Sequence, residues 1–172
     1  NPFVGQDGAQ PAIWSYGHRN PQGAAMDGEG RIWVNEHGAR GGDEVNLIRK
    51  GANYGWPVIA YGRHYSGGEI GEGTEKEGME QPVHYWDPSI APSGMTVYTG
   101  DLFPQWQGDL LVGGLVTRQV HRVRLADGKA TDVETLFGEL GERIRAVVTG
   151  PDGSVYLLTD NADGRVLKVT PD

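Results

Sequence analysis

Apolar residues along this chain fall in short runs or alternate with polar ones, and the 3.6-residue spacing of an amphipathic helix is nearly absent. Residues 32–34 (IWV), 45–48 (VNLI), 95–98 (MTVY), 110–112 (LLV), 120–125 (VHRVRL), 133–136 (VETL), 155–158 (VYLL) and 166–169 (VLKV) all read as strands. Gly, Asp and Pro punctuate them. Asp27-Gly28, Asp127-Gly128, Asp152-Gly153 and Asp163-Gly164 are hairpin signals, because both residue types tolerate the positive φ of tight turns.

The order of these elements repeats. Residues 22–36 (QGAAMDGEGRIWVNE) and 145–160 (RAVVTGPDGSVYLLTD) share an apolar strand, an Asp-Gly or Pro-Asp-Gly turn and an aromatic-containing strand with a polar end. Residues 93–136 keep that order with a longer first turn around Pro104. Units of about 40–50 residues with roughly four strands each are the signature of propeller blades. The expected fold is all-β: a half-propeller over 1–172, with about three four-stranded antiparallel blades at roughly 12–60, 93–136 and 143–172. Propellers close with at least about four blades, so an open arc that needs a partner is expected. Residues 61–81 (YGRHYSGGEIGEGTEKEGMEQ) break the pattern as a glycine-rich, acidic loop insertion; long loops often carry function, and Tyr65 stays a candidate.

Composition supports this and narrows the function. Gly 28 and Pro 10 in 172 residues, without a collagen-like period, suit many turns between short strands. A net charge of -8 argues against a nucleic-acid partner, which needs a basic face. No run approaches the roughly 18 apolar residues of a membrane-spanning helix, so no membrane insertion is expected. The absence of cysteine removes disulfides and thiolate metal sites and leaves the compartment open. The chain opens on Asn1 with no signal peptide, as a processed or excised chain would.

Three clusters carry candidate chemistry. Residues 15–23 (SYGHRNPQG) put a cation, amides and an imidazole on a loop entering a strand, where they can reach a propeller's central channel or simply form a hydrogen-bonded turn. Residues 35–46 (NEHGARGGDEVN) combine glycines that let carbonyls turn inward with the hard oxygens of Asp43 and Glu44, a composition that suits Ca²⁺ or an acidic surface turn equally. Arg143 and Arg145, two apart, fall on one side of a strand; they suit a polycarboxylate, or pair with Glu139 or Glu142.

The runs 16–23 (YGHRNPQG), 35–46 and 53–57 (NYGWP), followed in order by 91–94 (APSG), 103–106 (FPQW), 143–145 (RIR) and 149–153 (TGPDG), resemble the soluble aldose sugar dehydrogenases that use pyrroloquinoline quinone (PQQ), related to soluble glucose dehydrogenase. The resemblance runs from Asn1 to Asp172 and implies the C-terminal half of a six-bladed propeller, with PQQ over the central channel. It implies that Arg19 and Asn20 contact the quinone, that Arg143 and Arg145 bind its carboxylates, and that His37, Tyr65, Gly114 and Leu115 complete the cofactor contacts. Glu44 and Tyr54 match a calcium site, and the carbonyls of Gly38 and Ala39 match the positions that hold the calcium bridging to PQQ. The implied reaction oxidises the C1 hydroxyl of an aldose to a lactone, in a periplasmic or secreted enzyme.

Two departures qualify it. Where the relatives carry a lysine after the 114–115 position this chain has Val116, with Arg118 two residues on as the candidate to substitute. The family's catalytic base is a histidine of the N-terminal half; His18, His37, His64, His84 and His121 match no such motif. The expectation is therefore the half of the site that holds PQQ and calcium, with Arg19 stabilising charge on the quinone oxygen. The missing N-terminal half or a second copy of the chain would complete the ring. The alternative is a non-catalytic half-propeller binding module, or an excised fragment that self-assembles into a six-bladed ring.

Overall fold

A computed structural model of the chain describes residues 1–171. Eleven strands form three antiparallel meanders. The first joins β1 (Pro21–Met26), β2 (Ile32–Glu36), β3 (Asp43–Ile48) and β4 (His84–Trp86), with the 61–81 insertion inside it, between β3 and β4. The second joins β5 (Pro92–Val97), β6 (Leu110–Gly114), β7 (Val120–Ala126) and β8 (Lys129–Leu136). The third has three strands among the described residues, β9 (Ile144–Thr149), β10 (Val155–Thr159) and β11 (Val166–Val169). Each sheet is one blade of a β-propeller arc, and β5 packs between β1 and β9 so that the inner strands lie side by side.

Burial explains the strand patterns. The middle blade is covered on both faces, so β6 is a continuous buried run (LLVGG) rather than an alternating one. Leu110 and Val112 join Trp33, Val45, Met95 and Val123 in the core between blades one and two; Leu111 joins Tyr98, Val120, Ile144, Val147 and Leu157 in the core between blades two and three. Inner strands approach closely because they lack side chains where they meet. A Cβ on Gly23 of β1 would sit 2.7 Å from the Ser93 carbonyl, and one on Gly94 of β5 would sit 2.8 Å from Ala146 Cα in β9.

Two apolar faces remain open. Met26 and Ile32 are exposed on blade one. Val148, Leu158 and Val166 are exposed on blade three, on the face opposite the core residues Val147, Val155 and Leu157.

Blades one and two also bury a histidine. His121 of β7 is 5% exposed and lies edge-on to Trp86, with Thr117 Oγ1 at 2.9 Å from its Nε2. Burial, reinforced by the charge of His84, lowers its pKa to about 4. The unfolded chain, with an ordinary histidine pKa of about 6.5, therefore binds more protons across that interval. His121 thus contributes fully to stability above pH 6.5 and loses that contribution as pH falls toward 4. Urea unfolding is expected to show H121Q losing less stability than wild type between pH 7.5 and 4.5, by about 2–3 kcal/mol. Parallel pH profiles of the two proteins would refute this.

Candidate functional site

One rim of the arc gathers the candidates. Strand registers align Pro21 with Glu36, Pro92 with Gly114 and Ile144 with Thr159. The residues preceding each inner strand, and those following each second strand, therefore share an edge. That edge carries Arg19 and Asn20, His37, Leu115, Arg143 and Asp160. Side chains stitch the blades there. His37 Nε2 donates to the Pro92 carbonyl at 2.7 Å, and Asn35 Nδ2 to the Ser93 carbonyl at 2.9 Å. The Ser93 hydroxyl lies 2.6 Å from the Ile144 carbonyl of the third blade.

Glu36 organises the first corner. This buried carboxylate accepts from His18 Nδ1 at 2.9 Å, the Arg19 amide at 2.6 Å, the Asn20 amide at 3.3 Å and Asn46 Nδ2 at 3.1 Å. His18 is fixed in turn by Ser15 Oγ at 2.9 Å and by stacking on Tyr54. The Arg19–Asn20 turn is thereby held from behind. The Arg19 guanidinium lies over Trp56 and donates from Nη1 to the His37 carbonyl at 3.1 Å, while its Nε is buried without a partner among the described residues.

Beneath Arg19 a small cavity of about 20 Å³ is bounded by Glu36, Gly38, Ala39, Glu44 and Tyr54 among others. That is room for about one water molecule or a bare ion, and far too little for an organic cofactor. Burial pushes the Glu44 carboxyl up to about 7 against the hydrogen bond it accepts from Asn46. The Tyr54 hydroxyl is engaged elsewhere, donating to the Leu47 carbonyl at 2.7 Å and accepting from the Arg49 amide at 2.8 Å, so its ring serves as wall. Asp43, a hard-oxygen candidate by composition, is fully buried and saturated: it accepts from the amides of Gly38, Ile90 and Ala91 and from Ser89 Oγ. It staples two rim turns together. Among the described residues no group of three or more His, Cys, Asp or Glu could hold a metal, so an ion here would need main-chain carbonyls beside Glu44.

The third-blade corner holds the arginine pair. Arg143 and Arg145 converge, as their spacing predicts, but on a partner the spacing does not reveal. Asp160 Oδ2 accepts from Arg143 Nε and Nη2 and from Arg145 Nη2. These bonds hold the Asp160 carboxyl below the usual carboxylate range. Glu142 pairs instead with Arg165 and Asn161. Gly114 and Leu115 lie between the corners. The Leu115 amide donates to the Ala91 carbonyl at 3.0 Å, and its own carbonyl faces Arg143 Nη1 at 3.5 Å. Val116 is exposed, and Arg118, at a φ of 57°, reaches the Gly141 carbonyl with Nη1 at 3.4 Å. A non-glycine residue in that region is strained, which suits a functional turn. Tyr65 is 75% exposed on the turn from His64 to Gly68, tied to the rim through the Arg63–Arg40 pairing. Glu36, Trp56 and Asp160 are the site residues that sequence reasoning missed; Glu36 lay inside a highlighted motif, and Asp160 becomes visible only once the β9–β10 register is known.

The model of the glucose/sorbosone dehydrogenase family matches residues 1–168. An aldose sugar dehydrogenase of Escherichia coli is 49% identical over 174 aligned residues, covering 99% of this chain and 47% of the relative. A solved glucose dehydrogenase superposes with a TM-score of 0.96 at 50% identity, covering all of this chain and 51% of that one. The PQQ-bound form of an aldose sugar dehydrogenase from Streptomyces coelicolor gives a TM-score of 0.70 at 29% identity, covering 91% of this chain and 44% of that one. The chain thus spans about half the length of the relatives it matches.

Proposed function

The chain belongs to the glucose/sorbosone dehydrogenase family, and from that premise we propose that it is the cofactor-holding half of a PQQ-dependent aldose sugar dehydrogenase. The observation that carries the reading is the rim itself: three arginines from two blades on one edge, one of them with a buried Nε that lacks a partner among the described residues. An orphaned buried donor is costly unless a ligand satisfies it. A planar tricarboxylate quinone supplies acceptors for Arg19 and Asn20 at one end and for Arg143 and Arg145 at the other. His37, Tyr65 and the Gly114–Leu115 turn would complete the surround.

When bound, PQQ supplies the two-electron acceptor for oxidation of the aldose C1 hydroxyl to the lactone. This chain's residues bind and polarise. Glu36 fixes the Arg19 and Asn20 amides, so Arg19 meets developing negative charge without rearranging. The carbonyls of Gly38 and Ala39 with Glu44 would hold Ca²⁺ in the ion-sized cavity, with Tyr54, its hydroxyl engaged elsewhere, walling it. The base that removes the sugar proton comes from outside this chain. His18, His37 and His121 are engaged in the fold, His84 lies against Trp86, and His64 sits on the exposed insertion.

The open apolar faces of blades one and three support completion by further blades, from the family's other half or from a second copy in a two-arc ring. Periplasmic or secreted residence goes with the family reading; no helix among the described residues is long and apolar enough to cross a membrane.

The deciding experiment mixes the purified chain with PQQ, Ca²⁺ and an aldose and follows reduction of an artificial electron acceptor. Stoichiometric PQQ binding without turnover is expected, with turnover appearing once the other half is added. Absence of PQQ binding would sink the cofactor reading. Turnover by the chain alone would sink the claim that the base lies outside it. A strict monomer by size exclusion would count against the two-arc ring.

A further inference from the structure

Arg143 and Arg145 share one counter-ion, Asp160, carried on the strand end that pairs with theirs. The Asp160 amide donates to the Arg143 carbonyl at 2.8 Å, directly after the Ile144–Thr159 pair of the β9–β10 ladder. The backbone therefore places Asp160 beside both arginines. A single oxygen, Oδ2, accepts Arg143 Nε at 3.0 Å, Arg143 Nη2 at 2.8 Å and Arg145 Nη2 at 3.0 Å. Neighbouring charges do not compete for these groups, because Arg165 Nη2 and Asn161 Nδ2 hold Glu142 at 2.7 Å and 2.6 Å. Both arginine side chains stay nearly half exposed, at 42% and 47%.

Asp160 could act on an anionic ligand in two opposed ways. It cancels one of two positive charges, which weakens attraction. It also holds two mutually repelling guanidiniums side by side, which removes the entropy of finding that arrangement when a ligand arrives. The geometry favours the second: the carboxylate engages one edge of Arg143 and one amino group of Arg145, leaves Arg143 Nη1 only a long contact of 3.5 Å to the Leu115 carbonyl, and leaves both side chains nearly half exposed.

We propose that Asp160 is a positioning residue that preforms Arg143 and Arg145 as a fork for ligand carboxylates. The proposal rests on the cofactor reading above only for the identity of the ligand. It extends that reading to a residue that touches no cofactor and acts through the two arginines.

The test compares wild type, D160N and D160A in three titrations: with PQQ, with its trimethyl ester, in which the carboxylates are masked, and with citrate as an independent tricarboxylate. Binding is followed by fluorescence and by the NMR signals of the arginine Nε–H groups. D160A is expected to bind PQQ and citrate about tenfold more weakly, a loss the size of one charge-assisted hydrogen bond, with D160N between it and wild type. Affinity for the ester should stay within about twofold, because a general loss of structure would lower acid and ester together. The Arg143 Nε–H signal should lose its protection from solvent exchange in D160A. Unchanged or tighter PQQ and citrate binding in D160A would overturn the proposal, as would equal losses for acid and ester. Wild type that binds citrate through these arginines but ignores PQQ would sink the cofactor reading and leave the fork standing. Arginine signals indifferent to both probes would sink both.

Discussion

Replacing Glu36 with alanine is expected to destabilise the chain by about 3–5 kcal/mol, the range for removing one partner from a buried charged network. Four donors converge on this side chain: His18, the amides of Arg19 and Asn20, and Asn46. Each buried donor left without an acceptor costs about 1–3 kcal/mol, and a methyl group replaces none of those bonds. The position is also structural, since Glu36 pairs with Pro21 where the first blade begins. E36Q keeps one carbonyl oxygen as acceptor and should fall between alanine and wild type. Urea midpoints measure all three; a loss below about 1 kcal/mol for E36A would mean that water replaces the carboxylate. PQQ affinity should fall further than stability alone accounts for, because the Arg19–Asn20 turn loses the support behind it.

The strand pattern was legible because the blades are amphipathic sheets stacked face to face. All eight runs chosen by hydrophobicity lie in strands or overlap them closely. The Asp127-Gly128 signal closes the β7–β8 hairpin with φ of 50° and 72°, as a tight two-residue turn requires. Other strands carried little signal of their own. β4 is three residues of His, Tyr and Trp, too short for any period. The first half of β8 is mostly polar because it lies at the outer edge of its sheet, exposed to solvent. At the site, Arg143 and Arg145 were visible from their spacing, which is a local property. Asp160 was not, because its partnership depends on how β9 pairs with β10. Asp43 shows the opposite error of composition: an acidic residue beside glycines suits a metal, yet its oxygens are saturated by amides and a hydroxyl from turns up to 48 residues away.

Converting Arg143 and Arg145 together to glutamine is expected to weaken PQQ binding roughly 100-fold while leaving stability nearly unchanged. A hydrogen bond to a charged group contributes about 1.5–3 kcal/mol. Both side chains are nearly half exposed, so solvent screening argues for the lower figure, close to tenfold for each arginine. The single variants should not multiply cleanly, because the two arginines share Asp160 and removal of one lets the other reorient. Stability should change by less than about 1 kcal/mol, since half-exposed ion pairs contribute little. Lysine at either position should restore the charge without restoring affinity, as an ammonium cannot offer the planar double donor that a guanidinium presents to a carboxylate. Isothermal titration of wild type, the glutamine variants and the lysine variants against PQQ, with urea curves in parallel, separates these effects. If the double variant binds as tightly as wild type, the carboxylates lie elsewhere and Arg19 carries the cofactor without the fork. If lysine restores binding fully, net charge and not guanidinium geometry governs this end of the site, and the case for a preformed fork fails with it.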